Sequence, residues 1–315
     1  NNLTRKMTTY QIPDLDIEGL LGSGSFGYVF EAYDRNRKTK VALKRTTKAG
    51  DYVSREYEIL ELLKGCPNCI QVLDIFYTKN EEDDKLAQNL VFEFCSDNLE
   101  SMINENKTNK SVFSVEKVRH YAKQILNGLK HMHERQIVHR DLKPENVLVN
   151  EDDEVKICDF GSSKILDKSG KNTPYIVSRY YRAPELILGV SNYSEKIDIW
   201  ATGCIIAELL MLKPIFPGKT EGSQFLEQMA LLGTPTEEDY EQMASNIPKT
   251  TKKLLGQLEN FERKDIADLI PSHYHKRDRK KVVDLIEKCL LWDPKARISA
   301  SEALEHEFFS GEEED

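Results

Sequence analysis

Apolar and polar residues alternate along residues 17–47, and glycines interrupt the alternation. Because successive side chains of a strand point to opposite faces, this pattern predicts β-strands joined by hairpins. A helical spacing follows at 51–64, and two more strands are predicted near 70–77 and 89–94. The first part of the chain is therefore expected to be a β-sheet with one main helix.

From Leu99 onward the spacing of apolar residues is mainly helical. A small β-rich segment followed by a larger α-rich one predicts an α+β fold of two lobes that join near residues 93–96. The predicted helices cover 114–134, 195–212, 221–232, 280–291 and 300–308. The predicted divisions are an N-terminal extension, a β-rich N-lobe, a helical C-lobe and an acidic tail, at 1–16, 17–94, 95–309 and 310–315.

The length of 315 residues suits two lobes that enclose a cleft. The net charge of −9 argues against nucleic acid and against an anionic membrane as partners. The longest apolar run, from Ile199 to Leu212, contains Glu208 and is too short to span a bilayer. It therefore predicts a buried helix.

Six cysteines are present, and Cys66 and Cys69 form a single CxxC pair. A zinc site would need a second pair, so free thiols in a reducing compartment are expected. No secretory signal opens the chain. We expect a cytoplasmic location, with the nucleus as an alternative. The basic run from His275 to Lys281 is interpreted as a solvated helix start, although a nuclear signal has the same composition.

A glycine-rich motif, Gly22-Ser23-Gly24-Ser25-Phe26-Gly27, precedes the alternating run from Tyr28 to Tyr33. A dinucleotide-binding fold would place a helix after such a motif, whereas this sequence places a strand there. That context favours a glycine-rich hairpin over nucleotide phosphates, because missing Cβ atoms allow backbone N–H groups to approach closely. The next strand, Val41-Ala42-Leu43-Lys44, supplies a lysine.

The strongest signal is His139-Arg140-Asp141-Leu142-Lys143-Pro144-Glu145-Asn146. Phosphoryl transfer needs a carboxylate near the attacking hydroxyl, a cation near the moving charge, and metal ligands. Asp141, Lys143 and Asn146 provide one of each within a single loop. Asp159-Phe160-Gly161 follows 18 residues after Asp141 and offers a second carboxylate for Mg²⁺.

Two β-like runs, 147–149 and 155–158, separate these motifs. Beyond them, a 27-residue segment rich in Ser, Thr and Tyr runs from Asp159 to Glu185 and ends in Ala183-Pro184-Glu185. The order and spacing of the motifs, together with this segment, resemble the eukaryotic protein kinases over about Ile17 to Phe309. The resemblance implies a two-lobed kinase fold and transfer of the γ-phosphoryl group of ATP to protein substrates.

The resemblance implies that Lys44 contacts the α- and β-phosphates and that Glu56 forms an ion pair with Lys44. It implies that Asp141 is the catalytic base. Lys143 is the implied charge stabiliser, and the sequence that follows it resembles the Ser/Thr class. Mg²⁺ is the implied metal cofactor, bound by Asn146 and Asp159. The implied nucleotide site comprises Gly22, Ser23, Gly24, Ser25, Phe26, Gly27, Val29, Ala42, Lys44, Phe92, Glu93 and Cys95.

Two structural roles also follow from the resemblance. Arg297 is the implied ion-pair partner of Glu185, and His139 is expected to be a buried structural residue. Phe92 is expected to narrow the back of the adenine pocket, with backbone groups of Glu93 and Cys95 bonded to the adenine edge.

Within the kinases, Ser178-Arg179-Tyr180-Tyr181-Arg182 and the insert starting at Pro214 resemble the branch of cyclin-dependent, mitogen-activated and glycogen synthase kinases. Asp159-Phe160-Gly161-Ser162-Ser163-Lys164, Tyr175 and the run 89–94 are most similar to glycogen synthase kinase 3. That family binds a phosphate already present on the substrate. The implied phosphate pocket consists of Arg55, Arg140 and Lys164, whose donors suit a dianion.

Other interpretations remain open. Arg55 and Arg140 could instead order the segment from Asp159 to Glu185, which is the activation segment that the resemblance implies. Thr173-Pro174-Tyr175 within it resembles the dual phosphorylation motif of mitogen-activated kinases. Tyr175 is the expected activating phosphosite, with Thr173 as the alternative. The region 244–274 does not match the usual scaffold-binding segment, so scaffold partners are left open. A pseudokinase scaffold is disfavoured because the catalytic set is intact.

Overall fold

The computed structural model describes residues 12–24, 27–47, 54–79, 86–166, 179–244, 255–256 and 258–310. Four predicted site residues, Ser25, Phe26, Thr173 and Tyr175, lie outside these ranges. Most of the predicted extension, residues 1–11, and the tail after Ser310 also lie outside them.

The N-lobe is a five-stranded antiparallel sheet. Its strands are β1 Leu15–Gly24, β2 Gly27–Asp34, β3 Thr39–Thr47, β4 Val72–Lys79 and β5 Leu86–Glu93. They lie in the order β1-β2-β3-β5-β4. Alternating residues of the strands bury one face of the sheet, as the period of two predicts. The helix α1, Arg55–Leu62, begins after Ser54, whose hydroxyl accepts a hydrogen bond from the amide of Tyr57 at 3.3 Å.

The C-lobe is helical, and its helices surround α5 (Lys196–Met211), which is buried along nearly its whole length. A helix that is apolar on all sides packs in a protein core. The observed burial of α5 confirms the buried helix predicted from Ile199 to Leu212. Trp200 of α5 stacks on Phe216 with ring centroids 5.8 Å apart. The helices are α2 Leu99–Asn109, α3 Val115–Glu134, α4 Pro184–Ile187, α5 Lys196–Met211, α6 Glu221–Leu232, α7 Glu237–Ala244, α8 Lys276–Cys289 and α9 Ala300–Leu304.

Short strands between the lobes position the motif residues. β6 (Asp97–Asn98), β8 (Val147–Val149) and β9 (Val155–Ile157) form one sheet, in that order. β7 (Ile137–Val138) pairs with β10 (Lys164–Ile165). The motif from His139 to Asn146 therefore lies between β7 and β8, and Asp159 follows shortly after β9.

Several boundaries differ from those predicted. Helix α2 was not predicted, because its residues are mostly polar and only Leu99 and Ile103 are buried. Strand β1 starts at Leu15, two residues before the predicted N-lobe boundary. Helix α8 starts at Lys276 within the basic run, and α9 ends at Leu304, ahead of the predicted 308.

The six cysteines are free thiols. Among the described residues, no helix combines the length and apolar character that a bilayer span requires.

A buried ion pair joins the segment before α9 to the start of α4. Arg297 donates to both carboxylate oxygens of Glu185, at 2.6 and 2.7 Å, and each residue is 1% exposed. The guanidinium also lies 5.0 Å from the Trp200 ring. The ion pair predicted between these two residues is therefore present.

We expect Arg297→Ala to lower the free energy of unfolding by about 3–5 kcal/mol, because it leaves Glu185 charged and buried without its partner. Urea denaturation followed by circular dichroism measures this loss. Arg263→Ala is the control, since Arg263 pairs with Glu287 at the surface at 2.8 Å, and it should lose less than about 1 kcal/mol. Equal losses in the two variants would contradict a dominant role for the buried pair.

Candidate active site

Lys44 of β3 joins the two lobes across the cleft. Its ammonium donates to Glu56 of α1 at 2.7 Å and to Asp159 at 3.1 Å. Burial alone would lower the pKa of Lys44, but the two carboxylates outweigh burial and raise it. The lysine is therefore a fixed cation, and the predicted pairing with Glu56 is present.

The loop that carries Asp141 is anchored by Asp198 of α5, which is 1% exposed. The carboxylate of Asp198 accepts hydrogen bonds from the backbone amides of His139 and Arg140, at 2.9 and 3.0 Å. It also lies 3.1 Å from Nε2 of His133 on α3. The core helix α5 therefore fixes the position of the loop. Sequence reasoning missed Asp198, although a charged residue within an apolar helix is a usable signal.

His139 is buried and connects this loop to the Asp159 motif. Its Nδ1 accepts from the amide of Asp141 at 3.2 Å, so Nε2 carries the proton and donates to the carbonyl of Cys158 at 2.8 Å. Its ring packs edge-on against Phe160, with centroids 5.5 Å apart. These contacts fit the structural role expected for His139.

Asp141, Lys143 and Asn146 lie close together. Lys143 Nζ is 3.6 Å from the Asp141 carboxylate, which is largely buried. The side-chain amide nitrogen of Asn146 donates to the Asp141 carbonyl at 2.8 Å. The amide nitrogen is thus used to hold the loop, and the side-chain oxygen of Asn146 is the atom left for other ligands.

The two acidic residues of the site differ in proton affinity. Burial raises the pKa of Asp141, and Lys143 only partly offsets this effect. Burial acts in the same direction on Asp159, but the neighbouring Lys44 outweighs it and holds the pKa of Asp159 below its ordinary value. Asp141 is therefore the better proton acceptor of the two, and Asp159 remains ionised.

The donor set suits a hard divalent cation. Asp159 contributes a carboxylate with 38% of its side chain exposed, in a left-handed backbone conformation at φ +61°. Asn146 contributes an amide oxygen. Mg²⁺ is typically held by one or two protein oxygens together with substrate phosphates and water. Asn146 and Asp159 fit that requirement.

Several residues predicted to form the adenine site lie on neighbouring strands of the N-lobe sheet. Ala42 pairs with Phe92 across β3 and β5, and Phe92 is 8% exposed. Val29 of β2 pairs with Lys44. The carboxylate of Glu93 accepts from the amide of Gln71 at 2.8 Å, which holds the strand that connects the lobes.

Two glycines of the glycine-rich motif differ in whether the structure could accept a side chain in their place. Gly27 has φ +141°, and a Cβ there would lie 2.0 Å from the carbonyl oxygen of Arg45, so only glycine fits. A Cβ at Gly22 would meet open space. Gly27 is thus required by its close approach to the neighbouring strand, whereas the space beside Gly22 would accept a side chain.

The three predicted phosphate-pocket residues lie on adjoining elements. Arg55 is exposed at the start of α1, which packs against the turn Phe160–Ser162. Arg140 Nε donates to the carbonyl of Ser162 in that turn. Lys164 follows the turn on β10, opposite Val138 of β7.

A protein kinase domain model matches residues 15–309. The chain belongs to the protein kinase domain family. The α+β kinase fold predicted from the sequence is therefore confirmed. Membership of this family implies that the kinase binds ATP and a divalent metal ion, typically Mg²⁺.

Three curated relatives show which kinases the chain is similar to. A probable serine/threonine-protein kinase glkA from Dictyostelium discoideum is 41% identical over 288 residues, 91% of this chain and 57% of the relative. Protein kinase gsk3 from Schizosaccharomyces pombe is 35% identical over 92% of this chain and 72% of its own length. Glycogen synthase kinase 1 from Pyricularia oryzae is 35% identical over 92% and 71%. The predicted resemblance to glycogen synthase kinase 3 is confirmed.

The kinase also contains a buried carboxyl that sequence reasoning did not single out for the site. Glu208 of α5 is 2% exposed and accepts a hydrogen bond from the Tyr181 hydroxyl at 2.7 Å. Burial raises the pKa of Glu208 to about 7, although Tyr181 partly opposes the change. Tyr181 immediately precedes the Arg182-Ala183-Pro184 end of the activation segment, so this pair supports that end.

We expect the stability of the kinase to fall as pH rises through about 7, because the folded state favours protonated Glu208. The contribution is fully present below the unfolded pKa near 4.5 and is lost above pH 7. Glu208→Gln stays neutral and keeps an acceptor for Tyr181. The Tm of Glu208→Gln relative to the parent should therefore increase between pH 5 and 8 in thermal unfolding. A Tm difference that does not change with pH would exclude this titration.

Proposed function

We propose that this kinase transfers the γ-phosphoryl group of Mg·ATP to serine or threonine hydroxyls of proteins. The observation that carries the proposal is Lys44 between Glu56 and Asp159, at 2.7 and 3.1 Å, across the cleft from the Asp141 loop. The sequence Lys143-Pro144-Glu145-Asn146 favours serine and threonine over tyrosine. The names of the relatives support the same class.

In the proposed mechanism, different residues bind the phosphates and the metal ion of Mg·ATP. Bound Mg·ATP supplies the phosphoryl group and neutralises part of its charge. Lys44 would hold the α- and β-phosphates of ATP, and Asp159 and Asn146 would hold the metal ion. Glu56 keeps Lys44 in place through the 2.7 Å ion pair.

Asp141 receives the proton. The substrate hydroxyl oxygen bonds to the γ-phosphorus, the bond from that phosphorus to the β–γ bridging oxygen breaks, and ADP leaves. The raised pKa of Asp141 favours acceptance of the hydroxyl proton, and Lys143 Nζ, 3.6 Å from this carboxylate, stabilises charge near the transferred group. His139 and Asp198 orient the loop and take no proton in this scheme.

Asp159→Ala tests the metal role. We expect kcat to fall by about 100-fold or more, because the ion loses its carboxylate ligand, from a turnover that is typically about 1–100 s⁻¹ in kinases. An assay of ADP release measures kcat, and Tm shows whether the fold survives. Asp152→Ala, at an exposed turn, is the matched control and should retain activity. Near-parent turnover of folded Asp159→Ala would show that Asp159 does not hold the metal.

We further propose that the substrate phosphate pocket of the glycogen synthase kinase 3 resemblance operates here. Arg140 donates to the carbonyl of Ser162 in the turn Phe160–Ser162, Lys164 follows this turn, and Arg55 begins the helix α1 that packs against it. Together they would offer two guanidinium forks and one ammonium. A phosphate carries about −1.5 to −2 charges at pH 7, which matches this cluster. Preferred substrates would then be proteins already phosphorylated by another kinase.

The competing occupant is a phosphate on the activation segment. If Thr173 were phosphorylated and bound there, its effective concentration would be on the order of mM and would exclude an ordinary primed substrate. The Thr173-Pro174-Tyr175 sequence gives this mitogen-activated-type function its support. We propose that the substrate phosphate is the main occupant and that Tyr175 carries the activating phosphate.

One peptide tests the pocket, prepared with and without a phosphate four residues C-terminal of the acceptor. We expect Arg55→Ala to lower the ratio of kcat/KM for primed over unprimed peptide by about tenfold, the equivalent of one charge-assisted hydrogen bond. Arg263→Ala at the surface is the control and should leave the ratio unchanged. Equal loss on both peptides, or an inactive Thr173→Val enzyme, would favour the mitogen-activated-type function.

The thiols and the net charge bear on where the kinase acts and on what it binds. The free thiols fit a reducing compartment, so we propose that the kinase acts in the cytoplasm or nucleus. Protein substrates are the proposed partners, and the net charge of −9 gives no support to nucleic acid or membrane binding.

A further inference from the structure

Two glutamines of α6 are completely buried, although the residues buried beside them are apolar. Gln224 and Gln228 are 0% exposed, and their spacing of four residues places them on one side of the helix. Phe225, Met229 and Leu232 are buried on the same helix. Burying an amide has a free-energy cost unless its polar atoms are hydrogen-bonded, so the partners of the two amides indicate what these residues do.

Both glutamines bind the backbone near the end of the activation segment. Nε2 of Gln224 donates to the carbonyl of Tyr180 at 3.3 Å, and Nε2 of Gln228 donates to the carbonyl of Arg182 at 2.9 Å. Helix α6 also packs against the turn Arg179–Tyr181. Two carbonyls of this segment are therefore attached to a helix of the C-lobe core.

The oxygen atoms of the two amides differ in their contacts. Oε1 of Gln224 accepts from the amide of Gly218 at 3.0 Å, so Gln224 also holds the loop before α6. Oε1 of Gln228 has no hydrogen-bond partner among the residues that the structure describes. The hydrogen bond from Gln228 to Arg182 therefore serves the activation segment and not the loop before α6.

The segment that α6 holds borders the catalytic loop. Residues 181–183 line a small cavity together with residues 140–142, which include Asp141. A substrate hydroxyl that gives its proton to Asp141 has to come within hydrogen-bond reach of that carboxylate. Substrate residues next to the acceptor must then pass over the surface that borders Asp141, and the segment 180–183 is part of that surface.

We propose that Gln228, together with Gln224, is a positioning residue for the protein substrate, because it holds the segment 180–183 where residues next to the acceptor bind. This inference rests on the phosphoryl transfer to proteins proposed above. Without the amide, the Arg182 carbonyl loses its donor and the segment occupies more positions. Substrate binding then has to order the segment as well, so affinity for the substrate falls. Affinity for ATP should not change, because the residues proposed to hold Mg·ATP lie on other elements.

Gln228→Met removes the amide and keeps a side chain of similar length. We expect KM for an unprimed peptide to rise about five- to tenfold, the equivalent of one lost hydrogen bond, and KM for ATP to stay unchanged. The primed version of the peptide should lose by the same factor. Tm should stay within about 3 °C of the parent, since the change also removes the buried Oε1 atom.

Tyr274→Phe is the matched control. The buried Tyr274 hydroxyl also donates to a backbone carbonyl, that of Phe113, at 2.9 Å elsewhere in the C-lobe. Its loss should lower Tm and leave both KM values unchanged. Gln224→Met should raise KM for the peptide as Gln228→Met does. KM does not depend on the amount of folded enzyme, so the comparison holds for a variant that folds poorly.

The outcomes separate this inference from the proposed function. If the parent phosphorylates the peptide and Gln228→Met has the same KM for it, the proposed function stands and the role of Gln228 is wrong. Equal rises in KM for the peptide and for ATP would mean that α6 supports the C-lobe in general, which also overturns the inference. So would an equal rise in KM for the peptide in Tyr274→Phe. If the parent transfers no phosphate to any peptide, the proposed function fails and the inference fails with it.

Discussion

The carboxylate of Asp198 is the interaction on which the rest of the site depends. It is buried at the start of α5 and accepts hydrogen bonds from the amides of His139 and Arg140 at 2.9 and 3.0 Å. A buried carboxylate without such donors would be strongly destabilising, so the loop and the core helix stabilise each other. The same loop carries Asp141, Lys143 and Asn146, so the contacts of Asp198 also determine where these three residues lie.

Two cations of the site are held in place by contacts between distant segments. In the cleft, the charge of Lys44 is balanced by Glu56 and Asp159, which lowers the cost of burying a cation. Arg140 donates hydrogen bonds to the Ser162 carbonyl and to the Tyr193 hydroxyl. These contacts restrict the positions that the two side chains can adopt.

The relatives indicate the kinase class of the chain. Their names indicate serine/threonine kinases and kinases of the glycogen synthase kinase type, and the chain spans 57% of the first and 71–72% of the other two. The kinase core is shared over residues 15–309. The proposed preference for a primed substrate concerns Arg140, whose backbone amide is held by Asp198.

The sequence alone determined the two-lobed fold, the buried helix α5 and the chemistry of the motif residues, because periodicity and residue type are local properties. It did not predict α2, whose residues are mostly polar, or the start of β5, where Gln88 and Asn89 are polar yet buried. Only the tertiary structure brought Lys44 to Asp159, 115 positions away, and placed Asp198, Tyr193 and Glu208 beside their partners. Such contacts depend on how distant segments pack against one another, and no local pattern of residues encodes that packing.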